Sequence, residues 1–289
     1  MTQVFGADRA YPPDSVLLQR AASLGVEWFG AYIGGPYTGG LWSPEQVNGI
    51  GHLGYKFLPI YVGQQAKDPP NIKTEGVFTM EQGQHDAEDA IHIMREYGWP
   101  QHQNIPIVLD VEFWTYESHP EPTRQYIRTW LNTVRNAGYY PGIYGGAQTC
   151  HDMAQVGYLD GPTFVWIASW LKNWNPSQLD LMNIPGMPSR YFGRSQRLWQ
   201  YAALGDYDLN LANEEFQFAE YPAAYVTPEP EPPAGITVSV EDFAKLRELL
   251  DNVWNGNYQD EGAINEIQAA KQRRVSELYQ HIRSFHAAF

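Results

Sequence analysis

The sequence predicts an α/β fold, a closed (β/α)8 barrel of the TIM type. Three observations favour it. Short, almost continuous apolar runs alternate with helical patterns, which is typical of a parallel sheet covered on both faces. Eight such runs occur, as a closed barrel requires. No glycine-rich dinucleotide motif follows the first run, which argues against an open, doubly wound sheet.

The predicted strands cover residues 4–7, 28–33, 57–62, 105–111, 140–144, 164–169, 198–201 and 207–210. Helices between them have recognisable boundaries. Pro12-Pro13-Asp14 precedes the first helix, which Gly25 closes, and Ser43-Pro44-Glu45 begins the second. Amphipathic patterns predict further helices over residues 80–97, 123–137 and 148–156.

A change in composition near residue 221 predicts a domain boundary. Residues 221–235 contain five prolines, which indicates an extended linker after a barrel of residues 1–220. Residues 236–289 read as two helices, the second with an apolar three-four-three spacing at Val275, Leu278, Ile282 and Phe285. This spacing is typical of a coiled coil that contacts copies of itself or other proteins. A helical hairpin that packs on itself or on the barrel is the alternative.

Composition excludes several classes of partner. The net charge of −14 argues against binding to nucleic acid or to anionic lipid. Cys150 is the only cysteine, so no internal disulfide or thiolate metal cluster can form. The histidines lack metal-ligand spacing, and we expect neither a metal nor a cofactor. The N-terminus lacks a Sec signal pattern and no apolar run is long enough to enter a membrane, so we expect neither export by that route nor membrane insertion.

Two acidic residues stand at the end of the fourth predicted strand, in Ile105-Pro-Ile-Val-Leu-Asp-Val-Glu112. Asp110 and Glu112 are two residues apart and therefore point to the same side of the sheet. Active sites of such barrels lie at the C-terminal ends of the strands. Repulsion between two carboxylates raises the pKa of one, and glycoside cleavage needs a proton donor beside an ionised carboxylate. A capped strand end or a pair of metal ligands is the alternative.

Further acidic and aromatic residues are expected at the same rim. Asp8 ends the first strand and Asp208 lies in the last, and these strands are neighbours in a closed barrel. We therefore predict one acidic bowl formed by Asp8, Asp110, Glu112 and Asp208. The 10 Trp and 19 Tyr residues offer surfaces for stacking on sugar rings, although packing is the alternative for each of them. The predicted substrate-binding set is Tyr32, Tyr61, Trp114, Tyr144, Trp170, Trp199, Tyr201 and Asp206.

The sequence resembles the family 25 glycoside hydrolases over about residues 4–215. The motifs that carry this resemblance are Asp110-Val-Glu112, Tyr140-Pro-Gly-Ile-Tyr144, Val165-Trp-Ile-Ala-Ser-Trp170, Leu198-Trp-Gln-Tyr201 and Asp208-Leu-Asn210. Phe5-Gly-Ala-Asp8 and Tyr32-Ile-Gly-Gly-Pro36 are more similar to actinobacterial glycoside-hydrolase-like domains of unknown substrate. The third strand, residues 57–65, departs from muramidases in lacking an aromatic-His pattern.

The resemblance implies a lysozyme-like muramidase, which cuts peptidoglycan between N-acetylmuramic acid and N-acetylglucosamine. Glu112 then matches the proton donor, and Asp110 matches the carboxylate that supports the transition state or orients the acetamido group. Asp8 and Asp208 match the outer acids of the bowl.

We expect a cell-wall glycan hydrolase carried by an actinobacterial phage as a component of its tail tip. It would be located in the virion, or in the host cytoplasm before release. The alternative is a catalytically inactive barrel that binds carbohydrate or has a structural role in a phage virion.

Overall fold

A computed structural model describes residues 2–65, 76–112, 121–155 and 161–220. The predicted linker, residues 221–235, and the predicted helical segment, residues 236–289, lie outside the described residues. Their separation from the barrel stays a prediction.

The described residues contain eight strands, which close into a barrel in chain order. They are β1 (Gln3–Asp8), β2 (Val26–Gly34), β3 (Lys56–Val62), β4 (Pro106–Asp110), β5 (Tyr140–Gly146), β6 (Phe164–Ala168), β7 (Arg197–Leu204) and β8 (Tyr207–Asn213). The predicted closed barrel is thus confirmed.

One strand departs from the expected parallel sheet. Neighbours from β1 to β7 are parallel, whereas β8 runs antiparallel to both β7 and β1. The reason is the two-residue connection of Gly205 and Asp206, because a parallel crossover needs a dozen residues or more. Gly205 has a φ of 68°, a left-handed conformation that glycine adopts without steric cost.

Five α-helices are present in the described ranges. They are α1 (Ser15–Ser23), α2 (Pro44–Gly51), α3 (Met80–Glu96), α4 (Glu121–Asn136) and α5 (Ala147–Gln155). Asp14 caps α1, and Ser43 with Gln46 forms a capping box at α2. None of these helices is long and apolar enough to cross a membrane.

Side chains alternate between the barrel interior and the layer beneath the helices. In β3, Leu58, Ile60 and Val62 belong to the interior cluster, which also contains Trp28 and Trp166. Residues of the opposite parity pack against the helices in a second, larger cluster. This alternation decides which side chains can reach a site at the barrel mouth.

The end of the barrel opposite the candidate site is closed by the chain that follows β8. Phe218 stacks on Trp28 with ring centroids 4.7 Å apart, and Phe216 is buried among the interior aromatic residues. Ala219 forms a bridge with Phe57 near the start of β3. Among the described residues, this segment therefore fills the end of the barrel where β1 to β7 begin.

Arg197, at the start of β7, stabilises the long connection between β6 and β7 through hydrogen bonds. Its buried guanidinium has no carboxylate partner among its hydrogen bonds and donates to four backbone carbonyl groups, those of Leu181, Pro188, Tyr191 and Phe192. Arg194 and Asp180 form an ion pair in the same connection, at 2.7 Å. These contacts fix a loop that leads from the rim back to the opposite end of the barrel.

Candidate active site

Four acidic residues meet at the barrel rim. Asp8 is the last residue of β1, Asp110 is the last residue of β4, and Glu112 follows two positions later. Asp208 is the second residue of β8 and is paired with Asp8. Because β8 is antiparallel, its beginning lies at the rim where the parallel strands end. The reversed strand therefore still delivers its carboxylate to the same bowl.

Asp8 is buried and surrounded by neutral hydrogen-bond donors. Gln200 Nε2 and Asn210 Nδ2 donate to Oδ2 at 3.0 and 2.8 Å, and the hydroxyl of Tyr32 donates to Oδ1 at 3.4 Å. These bonds favour the charged form, but burial and the charge of Asp208 outweigh them. Together they raise the pKa of Asp8 to about 7.

Asp110 and Glu112 form a second pair of interacting carboxyls. Burial, followed by the charge of Glu112, raises the pKa of Asp110 well above its usual range. Burial, followed by the charge of Asp208, raises the pKa of Glu112. Among the described residues, Asp110 Oδ1 is buried without a hydrogen-bond partner. Glu112 is only half-buried, so its carboxyl is the more accessible of the two.

Two tyrosines stand between the acids. Burial, then Asp8 and Asp110, raises the pKa of Tyr32 well above its usual value. The pKa of Tyr144 is raised by burial and by all four carboxylates, Asp8 first. Because all four carboxylates raise the pKa of Tyr144, they lie close enough together to act as one electrostatic group. Both phenols keep their protons, which Tyr32 donates to Asp8 and Tyr144 donates to Gln200.

Trp170 is an exposed aromatic residue of this rim. It follows β6, and 59% of its surface is open to solvent. Its indole N–H donates to Gln200 Oε1 at 2.8 Å, and the same oxygen accepts from the Tyr144 hydroxyl at 2.9 Å. Gln200 thus connects an exposed aromatic surface to Tyr144 and to Asp8. An aromatic ring beside carboxyls is suited to a polar ring with apolar faces, such as a sugar.

A family model described as Rv2525c-like, glycoside hydrolase-like domain matches residues 20–210, which is more than half of the chain. The chain belongs to this family. A comparison with curated proteins found no match.

Several solved structures are similar to this Rv2525c-like domain, and one with a TM-score above 0.5 shares its fold. An uncharacterised B. stearothermophilus protein has 20% identity and a TM-score of 0.53, with 73% of this chain and 96% of that chain covered. A family 25 glycosyl hydrolase from Bacillus anthracis has 14% identity and a TM-score of 0.45, with 73% and 90% covered. A muramidase from Acremonium alcalophilum has 15% identity and a TM-score of 0.46, with 73% and 93% covered.

Three predicted substrate-binding residues of this Rv2525c-like domain do not face the bowl. Tyr61 lies between the interior residues Ile60 and Val62, and its hydroxyl donates to Asp89 of α3 at 3.0 Å. Trp199 and Tyr201 flank the inward-facing Gln200, so both are buried in the outer layer. Their predicted contact with substrate is wrong, because alternation along each strand turns them toward the helices.

Two further residues were predicted to bind substrate, Asp206 and Trp114. Asp206 is exposed in the turn between β7 and β8, at the rim but outside the buried carboxyl group. Trp114 lies outside the described residues. Within the described ranges, no group of three or more His, Cys, Asp or Glu side chains is arranged to hold a metal ion.

Two polar residues of the bowl escaped prediction. Gln200 and Asn210 are buried in β7 and β8 and hold the carboxyl of Asp8. Asn210 Oδ1 also accepts from the indole of Trp166 at 2.9 Å, so its amide is fully used. A carboxamide between apolar residues of a strand was the available signal, since buried polar groups need partners.

Proposed function

We propose that this barrel is a glycoside hydrolase that acts on bacterial cell-wall glycan of the peptidoglycan type. The observation that carries the proposal is the group of four acids at the rim. Burial raises the pKa of all four, and the charge of another acid raises it further in Asp8, Asp110 and Glu112. Glycoside cleavage requires one carboxyl that keeps its proton and another that bears charge. Membership of a glycoside hydrolase-like family and the resemblance to muramidases support the choice of substrate.

Glu112 is assigned as the general acid. Its half-buried position leaves the carboxyl open to a ligand, and its raised pKa favours retention of the proton. This proton passes to the glycosidic oxygen as the bond from that oxygen to the anomeric carbon breaks. Water then adds to the anomeric carbon, and its released proton returns to the carboxylate of Glu112.

Asp110 is assigned as the charged partner. Two neighbouring carboxyls resist simultaneous ionisation, so the pair holds one proton and one negative charge. Burial alone would favour the proton on Asp110, so the assignment of the charge to Asp110 follows the resemblance to family 25 enzymes. In the reacting complex this negative charge stabilises the positive charge that develops on the sugar ring.

The other residues of the bowl are assigned to support and binding. Asp8 and Asp208 extend the acidic surface and help to keep a proton on the group. The hydroxyl oxygens of Tyr32 and Tyr144 can accept hydrogen bonds from sugar hydroxyls, because their protons are donated to Asp8 and Gln200. Trp170 offers the face on which a sugar ring stacks.

The biological setting belongs to the same proposal. We assign the protein to a phage tail tip, where the barrel would meet the cell wall and residues 236–289 would contact copies of the chain or other tail proteins. The proline-rich linker and the coiled-coil spacing support this arrangement. Mass spectrometry of purified virions from a phage that encodes the chain tests it, and absence of the protein from virions would refute it.

The catalytic assignment is tested by Glu112→Gln in a reducing-end assay on purified peptidoglycan. The amide keeps the shape of the side chain but has no acidic proton, so we expect activity to fall by about 10²–10⁴-fold. Glu27→Gln is the matched control, because Glu27 is exposed on β2 and the change is chemically identical. It should leave activity unchanged.

Two outcomes would contradict the proposal in different ways. Full activity of the Glu112→Gln variant removes this residue from the reaction. A wild-type protein that binds cell-wall glycan without releasing reducing ends is a carbohydrate-binding barrel and not an enzyme.

A further inference from the structure

The side chain of Gln65 continues the hydrogen bonding to β4 beyond the point where its pairing with β3 ends. Backbone pairing between β3 and β4 stops after Val62 and Asp110, where Gly63 N donates to Asp110 O at 3.0 Å. Beyond this point the side-chain amide of Gln65 takes over. Its Nε2 donates to Asp110 O at 2.9 Å, and its Oε1 accepts from Glu112 N at 2.7 Å.

The carboxamide of Gln65 acts as a peptide group would in the ladder. It offers one donor and one acceptor to the backbone of β4 and its continuation. Its polarity is fixed, because Nε2 lies near two carbonyl oxygens, those of Asp110 and of Gly63 at 3.3 Å. Only Oε1 can therefore face the N–H of Glu112. A carboxylate would lack the donor, and a methionine would lack both groups.

Gln65 is itself held in place by its neighbours. The side chain is buried, and its backbone carbonyl accepts from Gly76 N at 2.9 Å. The preceding residue, Gln64, donates from its backbone N–H to the Tyr126 hydroxyl of α4 at 3.1 Å and from its side chain to Asp86 of α3 at 3.0 Å. The chain after β3 is thus fixed to two helices, and the hydrogen bond from Glu112 N to Gln65 restrains the backbone of Glu112 in turn.

We propose that Gln65 is a positioning residue that sets the separation between the carboxyls of Asp110 and Glu112 by fixing the backbone that carries both. This inference rests on the proposed function, in which these two carboxyls react. Gln65 holds the backbone on both sides of Val111, and its side chain also forms a hydrogen bond that favours the charged form of the Asp110 carboxyl. It also occupies the segment where the sequence lacks the aromatic-His pattern of muramidases.

The test compares Gln65→Met and Gln65→Glu with a matched control, Gln196→Met. Gln196 makes the same two kinds of bond, accepting from Gly193 N at 3.0 Å and donating to Thr163 O at 2.9 Å, in the loop before β7 and away from the rim. Both methionine variants lose a bond accepted from a backbone N–H and a bond donated to a backbone carbonyl. Only the substitutions of Gln65 should alter the reaction.

We expect Gln65→Met to lower kcat by roughly 10–100-fold with little change in KM, since misplacing a reacting group by about 1 Å has an effect of that size. The pH profile should also move, because the variant loses the hydrogen bond that lowers the pKa of Asp110 and changes the distance over which Glu112 raises it. Gln65→Glu adds a negative charge beside Glu112 and should shift the profile to higher pH. Gln196→Met should keep the wild-type kcat and pH profile.

A readout that does not require turnover separates this inference from the proposed function. In protein labelled with ¹³C at glutamate carboxyls, the resonance that Glu112→Gln removes belongs to Glu112. Its titration should shift in Gln65→Met and stay in place in Gln196→Met. An unchanged titration overturns the role of Gln65, whether or not the wild type cleaves glycan. If Gln65→Met fails to fold, Gln65→Asn, whose amide is one methylene shorter, is measured in the same way.

Discussion

Replacing Asp8 with asparagine should stabilise the protein at neutral and alkaline pH. In the folded chain, burial and Asp208 raise the pKa of this carboxyl from 3.8 to about 7. A raised pKa means that the folded state binds the proton more tightly than the unfolded state. The contribution of Asp8 to stability is therefore present below about pH 4 and is lost as the pH rises to about 7. Above pH 7 the folded protein holds a buried charge at a cost in free energy.

The size of this cost follows from the two pKa values. One pKa unit corresponds to about 1.36 kcal/mol, so ionised Asp8 destabilises the fold by up to about 4 kcal/mol above pH 7. Asparagine has no charge, and its oxygen can accept from Gln200 and Asn210 as the carboxylate does. Its amide can donate to the hydroxyl oxygen of Tyr32. The substitution should thus keep the local contacts and remove the cost of the charge.

Urea denaturation of both proteins at pH 4 and pH 8 measures this effect. We expect Asp8→Asn to raise the free energy of unfolding by about 1–4 kcal/mol at pH 8 and by much less at pH 4. Asp180→Asn is the control, because hydrogen bonding by Met182 and contact with Arg194 lower the pKa of Asp180, so its removal should destabilise at pH 8. A variant at residue 8 that is no more stable than wild type at pH 8 would refute the reasoning. Stabilisation with loss of glycan cleavage would be the usual trade-off of an active-site residue.

Two further predictions concern substrate binding and the domain boundary. Trp170→Ala should raise KM for glycan roughly tenfold, since a lost apolar contact of about 1–2 kcal/mol has that effect, while Trp170→Phe, which keeps a ring, should lose less. Equal KM values for wild type and Trp170→Ala would exclude stacking at this residue. A chain that ends at residue 220 should keep the stability of the barrel, because Glu220 O still accepts from Trp99 at 3.0 Å, and should lose self-association in analytical ultracentrifugation. A chain that ends at residue 213 lacks Phe216 and Phe218 and should be less stable by more than about 3 kcal/mol; equal stability of the two chains would contradict the closing role of this segment.

The sequence by itself determined the barrel and the position of its acids along the chain. Eight apolar runs separated by helical patterns correspond to the eight strands of the structure. Asp8 and Asp110 were predicted at strand ends, and both are the last residues of their strands. Such features are local, because hydrophobic periodicity and chain punctuation reflect interactions within a few residues.

The direction of β8 needed more than the apolar pattern. A buried strand has the same apolar composition in either direction, and only the two-residue connection at Gly205 and Asp206 excludes a parallel crossover. The antiparallel direction places Asp208 beside Asp8. Asp208 therefore reaches the expected bowl from the beginning of an antiparallel strand, whereas the prediction placed it on a parallel strand.

Only the tertiary structure decided which side chains face the bowl. Strands buried on both faces are apolar throughout, so the sequence does not reveal whether Ile60 or Tyr61 points inward. The same ambiguity made Trp199 and Tyr201 resemble binding residues, while Gln200 between them is the one that reaches Asp8. The bond from Gln65 to Glu112 joins residues 47 positions apart and depends on the register of β3 against β4. Orientation and register are properties of neighbouring strands, and the closed barrel fixes both.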